Sequence, residues 1–252
     1  MKKLVLITGA TSGIGEACAI KYAENNCRII ICGRRRERLE YLQKRLVQDY
    51  KAEVYILNFD VRKRPEVQTA ISNLPQNWKD IDVLINNAGL SLGLDNFQNA
   101  SMEDWETMID TNIKGLLYVT KEIVPYMIKN QKGHIINIGS IAGKEVYPKG
   151  NAYCATKFAV DALTKAMRVD MVSQGIKVSQ IAPGAVETEF SLIRFKGDQE
   201  KADDVYKGYK PLTGEDIAET VYFVSSLPPH VNINDMLVMP VAQASSSVWH
   251  KK

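Results

Sequence analysis

Tyr153 and Lys157 stand four residues apart, the spacing that places two side chains on one face of a helix. A phenol ionises near ~10 in water, and a neighbouring ammonium favours the phenolate, so such a pair can act as acid and base at neutral pH. Taking the proton from a hydroxyl while hydride leaves the same carbon requires a base of this kind. Ser140, thirteen residues before Tyr153, would orient the substrate oxygen and stabilise its developing charge. Asn112 adds a polar group inside an otherwise helical pattern, where it would link Lys157 to a proton-carrying water. The spacing alone is not distinctive, because Tyr206 and Lys210 repeat it. Thirteen residues before Tyr206 stands Ile193, so only Tyr153 has the serine.

These groups need a scaffold, and short apolar runs supply one. Leu4–Ile7, Arg28–Cys32, Val54–Leu57, Val83–Asn86, His134–Ile138, Lys177–Ile181 and Met236–Val238 read as strands without polar alternation, as in a parallel sheet covered on both faces. Helical stretches lie between them. Glu37–Gln48 carries Leu39, Leu42 and Leu46 on one face, Ser101 to Asp104 and Thr213 to Asp216 resemble capping boxes, and Pro228-Pro229 stops the helix begun at the second. The pattern predicts an α/β fold, a single-domain Rossmann-like doubly wound parallel sheet over residues 1–252. Residues 190–213 are less regular, and their place after a late strand suits a lid over the site or an idle surface loop.

The first strand runs into Thr8-Gly9-Ala10-Thr11-Ser12-Gly13-Ile14-Gly15 at the start of a helical pattern. Glycines there let backbone approach a pyrophosphate, whose charge meets the helix N-terminus. Cys18 holds the position that a third glycine takes in the G-x-G-x-x-G form. The second strand ends at Gly33, where an NAD site usually has a carboxylate for the ribose 2′-hydroxyl. Arg34 and Arg35 follow instead, and guanidinium groups suit a 2′-phosphate, so NADP is the expected cofactor with Arg34 as its principal phosphate contact. Asp60 and Val61 would hold the adenine, and Asn87, Ala88 and Gly89 a neighbouring ribose.

Composition bounds the alternatives. Lys and Arg number 32 against 29 Asp and Glu, a balance that argues against nucleic-acid or acidic-membrane partners and leaves a small-molecule substrate. No apolar run reaches the length of a membrane span, and the first one stops at Thr8, short of a signal core. Cysteines 18, 27, 32 and 154 have no metal spacing and read as buried thiols of a cytoplasmic protein, so no metal is expected. The tail from Ala244 to His250, polar apart from Val248 and Trp249, would pack on a neighbouring subunit or fray.

Taken together, the glycine turn at 8–15, Asn86–Gly89, Asn112, Ser140, Tyr153, Lys157 and Pro183-Gly184 resemble the short-chain dehydrogenase/reductase family over essentially the whole chain. The resemblance implies that Pro183, Gly184, Ala185 and Val186 line the nicotinamide end and that Thr188 holds its carboxamide. Glu103 to Asn112, Arg194 to Asp198 and Pro229 to Asn234 are similar to the branch of NADP-dependent 3-hydroxy acid dehydrogenases acting on serine and allo-threonine. That branch implies oxidation of a 3-hydroxyl in a small acid and a homotetramer. Arg194 or Lys196 would then bind the substrate carboxylate. A carbonyl reductase working in the opposite direction, and a cofactor-sensing protein without turnover, are the competing readings.

Overall fold

In the computed structural model, which describes residues 2–252, the seven expected strands are β1 (Leu4–Thr8), β2 (Arg28–Gly33), β3 (Val54–Asn58), β4 (Val83–Asn86), β5 (Gly133–Ile138), β6 (Ile176–Pro183) and β7 (Asp235–Val238). They pair in parallel in the order β3-β2-β1-β4-β5-β6-β7. The helices are α1 (Gly13–Glu24), α2 (Arg36–Tyr50), α3 (Arg64–Ser72), α4 (Met102–Ile109), α5 (Leu116–Lys129), α6 (Asn151–Met171), α7 (Glu189–Arg194), α8 (Gln199–Asp204) and α9 (Gly214–Ser226).

Strand β1 shows why the sheet is covered twice. Val5 and Ile7 point into one core with α1, α2 and α9, while Leu4 and Leu6 point into the other with α3, α5 and α6. Side chains alternate faces along a strand, so a strand apolar at every position must have a helical layer on each side. Leu39, Leu42 and Leu46 of α2 are all buried, as their spacing requires. Thr213 and Asp216 form the reciprocal capping box that starts α9, and Ser101 accepts from the Asp104 N–H at 3.3 Å to start α4.

Three features depart from the sequence expectations. The long helix from Ser101 is not uniform: between α4 and α5, Asp110–Gly115 forms a π turn that buries Thr111 and Asn112. Residues 190–213 are more regular than their composition suggests, because α7 and α8 occupy much of the segment. Each starts on a side-chain cap, Thr188 accepting from Phe190 N at 3.2 Å and Asp198 from Lys201 N at 3.1 Å. The tail does not fray. It folds back on its own chain, with the Trp249 ring tilted against Tyr209 at 4.9 Å between centroids and the Lys252 N–H donating to Gly208 O at 2.8 Å.

Below the site, a buried polar ladder ties the helices to the sheet. Asn86 and Asn137 are register partners on β4 and β5, and the Asn86 amide donates to Asn137 Oδ1 at 2.9 Å and Thr120 Oγ1 at 2.8 Å. Asn137 in turn donates to Thr164 Oγ1 at 2.9 Å, reaching α6. All four cysteines are buried and unpaired. No described helix is long and apolar enough to cross a membrane, and no group of three metal-ligating side chains occurs among the described residues.

Candidate active site

The chain winds outward in both directions from β1 and β4, and a cleft of about 450 Å³ opens above their C-terminal ends, where such folds hold ligands. Its wall includes Gly9, Thr11, Ser12, Gly13, Ile14, Arg34, Arg35, Asp60, Val61, Asn87, Ala88, Gly89, Ser140, Tyr153, Lys157, Pro183, Gly184, Val186 and Thr188. Gly15, Asn112, Ala185, Arg194 and Lys196, all expected at the site, are not part of this wall. Sequence reasoning did not single out Leu90, Thr111, Ile138, Phe190 and Ile193, which also face the cleft.

The turn after β1 fits a dinucleotide for steric reasons. Gly9 and Gly13 have φ of +66° and +55°, a conformation side chains rarely adopt. A Cβ on Gly15 would lie 2.3 Å from Gly9 O, so this glycine allows the helix to start tight against the turn. Asn87 pins the same turn, its amide donating to Thr8 O at 2.9 Å and Gly9 O at 3.1 Å. With both amide hydrogens engaged, only its Oδ1 is left to meet a ribose. Asp60 lines the cleft, but both its oxygens already accept from Arg62, at 2.6–3.1 Å. Burial opposes ionisation of this carboxyl, yet the Arg62 bonds win and hold it below its ordinary range.

The two arginines differ. Arg35 donates through Nε and Nη2 to Thr11 Oγ1 at 3.1 and 2.8 Å, to Ser12 Oγ at 2.9 Å, and through Nη1 to Glu189 at 2.9 Å. Arg34 makes one loose pair, 3.9 Å from Asp60, and its side chain is 55% exposed. Its donors are therefore the ones available to a phosphate.

Tyr153 and Lys157 lie on one face of α6, buried, with the ammonium 5.9 Å from the phenol ring centroid. Lys157 donates to Ile138 O at 2.9 Å, and burial pushes its pKa down to about 8. Burial also raises the Tyr153 pKa well above that of a free phenol, helped by Tyr147 and opposed by the Ser140 hydroxyl and the Arg194 guanidinium. Ser140 accepts from Ala142 N at 3.1 Å, which leaves its own hydroxyl proton free to donate into the cleft. Asn112 is more constrained than expected. Its amide donates to Leu90 O at 2.8 Å and Thr156 Oγ1 at 3.0 Å, while Oδ1 accepts from Leu90 N at 2.8 Å. The π turn thus aims Asn112 at the Gly89-Leu90 backbone, and only one acceptor position on Oδ1 is left for a water.

Arg194 and Lys196 separate cleanly. Lys196 pairs with Asp104 at 2.9 Å, outside the cleft. Arg194 turns inward: its guanidinium carbon is 5.2 Å from the Tyr153 ring centroid, Nε donates to Ser91 Oγ at 3.0 Å, and Nη2 donates to the Tyr147 hydroxyl. The Phe190 ring meets Tyr153 edge-on at 5.6 Å. A cation is thereby fixed beside the phenol and against Phe190, which lines the cleft. Tyr206, in the repeated spacing, donates to Val186 O at 2.9 Å and serves the segment around α7.

A parallel doubly wound sheet carrying this serine, tyrosine and lysine beside a glycine turn defines a nicotinamide-type oxidoreductase site. The chain belongs to the short chain dehydrogenase family, whose model matches residues 3–197. Over 242 residues it is 49% identical to an NADP-dependent 3-hydroxy acid dehydrogenase of Salmonella typhi, with 96% of each chain covered. It is 43% identical over 248 residues to a sulfoacetaldehyde reductase of Chromohalobacter salexigens, covering 98% of each. Among solved structures it is similar to the closed form of a serine dehydrogenase complexed with NADP+, at 45% identity, a TM-score of 0.93 and 99% of each chain.

Proposed function

We propose that the protein is an NADP-dependent dehydrogenase that oxidises the 3-hydroxyl of small hydroxy acids, serine and allo-threonine among them, with Tyr153 as base. The observation that carries this reading is Arg194, a half-buried residue whose guanidinium lies 5.2 Å from the Tyr153 ring. An anionic group bound there keeps a hydroxyl two or three bonds away within reach of the phenol. Identity of 49% to a 3-hydroxy acid dehydrogenase supports the same substrate class.

The nicotinamide, when bound, accepts the hydride that leaves the substrate carbon. The residues do the rest. Ser140 donates to the substrate oxygen and holds it against Tyr153. Tyr153 takes the hydroxyl proton as the carbonyl forms. Lys157, as a cation, lowers the cost of the phenolate and returns the proton towards Asn112 and solvent. Arg34 takes the 2′-phosphate, and Asp60, Val61, Asn87, Ala88 and Gly89 flank the adenosine half. Pro183, Gly184, Val186 and Thr188 receive the nicotinamide half.

Residues 190–213 act as the lid, a role supported by Arg194, which reaches Ser91 and Tyr147 from α7. Four unpaired thiols suit a reducing cytoplasm. The working assembly is a homotetramer.

The test is a substrate panel. Purified protein with NADP+ is expected to generate nicotinamide absorbance with serine, allo-threonine and simple 3-hydroxy acids, and silence with all of them overturns the reading. The similarity to a sulfoacetaldehyde reductase favours one alternative, reduction of a small anionic aldehyde. NADPH consumption with such aldehydes, and no reaction with any hydroxy acid, would select it.

A further inference from the structure

Glu189 begins α7 immediately after Thr188, yet its carboxylate faces back across the mouth of the cleft. Oε2 accepts from Arg35 Nη1 at 2.9 Å, and Oε1 accepts from Arg38 Nη1 at 2.5 Å. Arg35 is held at its other end by Thr11 and Ser12 of the glycine turn. One guanidinium therefore bridges two segments that stand on opposite banks of the cleft, the turn after β1 and the strap after β6. Beside the bridge the banks already touch. A Cβ on Gly13 would lie 3.0 Å from the Thr188 side chain, and the φ of +55° there favours glycine as well.

The position of Glu189 decides what the bridge does. Arg34 and Arg35 line the cleft, whereas Glu189 and Arg38 do not. The carboxylate grips Arg35 from outside and does not fill the space a phosphate would take. Burial works against its ionisation, but the bonds from Arg38 and Arg35 keep its pKa below the ordinary carboxylate range, so it is charged throughout neutral pH.

We propose that Glu189 is a latch on the cofactor: with Arg35 and Arg38 it closes the cleft mouth over a bound dinucleotide, which leaves only when this bridge opens. The proposal rests on the reading of the cleft as a dinucleotide site. It makes Glu189 a positioning residue that acts on retention and has no part in the hydride step.

Stopped-flow displacement of NADPH, followed by its fluorescence, tests the latch. Glu189→Gln keeps the shape of the side chain and removes its charge, and it is expected to raise the dissociation rate about two- to fivefold at low salt. Arg38→Ala, which removes only the outer grip, is expected to raise it by a smaller factor. Salt screens a partly exposed bridge, so wild-type dissociation should accelerate more steeply with ionic strength than that of Glu189→Gln, whose remaining salt dependence comes from the contact of Arg34 with the phosphate. NADH, which lacks the 2′-phosphate, should be released faster by the same factor. Equal rates in wild type and Glu189→Gln would overturn the latch. An effect confined to NADPH would overturn it too, by placing Glu189 in 2′-phosphate recognition, and so would tighter NADPH binding, which would make the carboxylate a competitor. If the wild-type protein failed to bind NADPH at all, the cofactor reading itself would fall and the latch with it.

Discussion

At Tyr153 the protein holds a proton more tightly than water would, and at Lys157 it holds one less tightly. Burial causes both, so the pair is poised against its task until positive charge reaches the phenol. Tyr153→Phe removes only the phenolic hydroxyl and should lower turnover by about 10²–10⁴-fold with little change in melting temperature. Lys157 also leaves a signature in stability. Its folded pKa of about 8 lies below the ordinary 10.5, so between those values the unfolded chain binds more protons than the folded one. The cost of burying this charge is fully present below pH 8 and is relieved as pH rises towards 10.5. Urea titrations of Lys157→Met should therefore lack a stability increment, about 3 kcal/mol at most, that the wild type gains over this range. Cofactor choice is a residue-scale matter as well. Arg34 makes one loose pair whereas Arg35 is committed to Thr11, Ser12 and Glu189, so Arg34→Ala should raise the KM for NADP much more than that for NAD, and an equal rise in both would move the phosphate contact elsewhere.

The elements place these groups, and the tightest junction is the one between β1 and α1. A methyl group on Gly15 would meet Gly9 O at 2.3 Å, and backbone cannot move aside as a side chain can. Gly15→Ala should cost about 1–3 kcal/mol in thermal or urea unfolding and raise the KM for the cofactor, with kcat much less affected. This junction was legible in the sequence because glycine turns and continuous apolar strands leave marks that depend only on neighbours along the chain. The Tyr153–Lys157 spacing was legible for the same reason, and the upstream Ser140 separated it from Tyr206–Lys210. The π turn at Asp110–Gly115 was not, since one widened turn leaves the apolar period on either side intact. Nor could sequence choose between Arg194 and Lys196, two cations on one short segment whose directions depend on Ser91, Tyr147 and Asp104. Tyr147 and Ser91 obey no spacing rule relative to Tyr153, and α7, with six residues, is too short to show a period.

For the whole molecule, the surface carries apolar residues that its own fold does not cover. On α5, Leu117 and Ile128 are exposed and eleven residues apart, and on α6 so are Phe158 and Val169, the latter 73% accessible. Eleven residues is close to three helical turns, so each pair lies along one outer face. Val172, 71% accessible, extends the second stripe. A separate apolar area surrounds β7, which is an edge of the sheet, with Leu237, Phe223 and Val241 exposed near it. Two such patches, each paired with its own copy across a separate two-fold axis, would give the tetramer proposed above. Light scattering on the purified protein should then give four times the chain mass of 28.2 kDa. Val169→Asp places a charge in the α5–α6 patch alone and should reduce the particle to a dimer held by the β7 edge, with the fold intact by circular dichroism. A wild-type monomer at micromolar concentration would remove the tetramer, and a Val169→Asp tetramer would remove this patch from its interfaces.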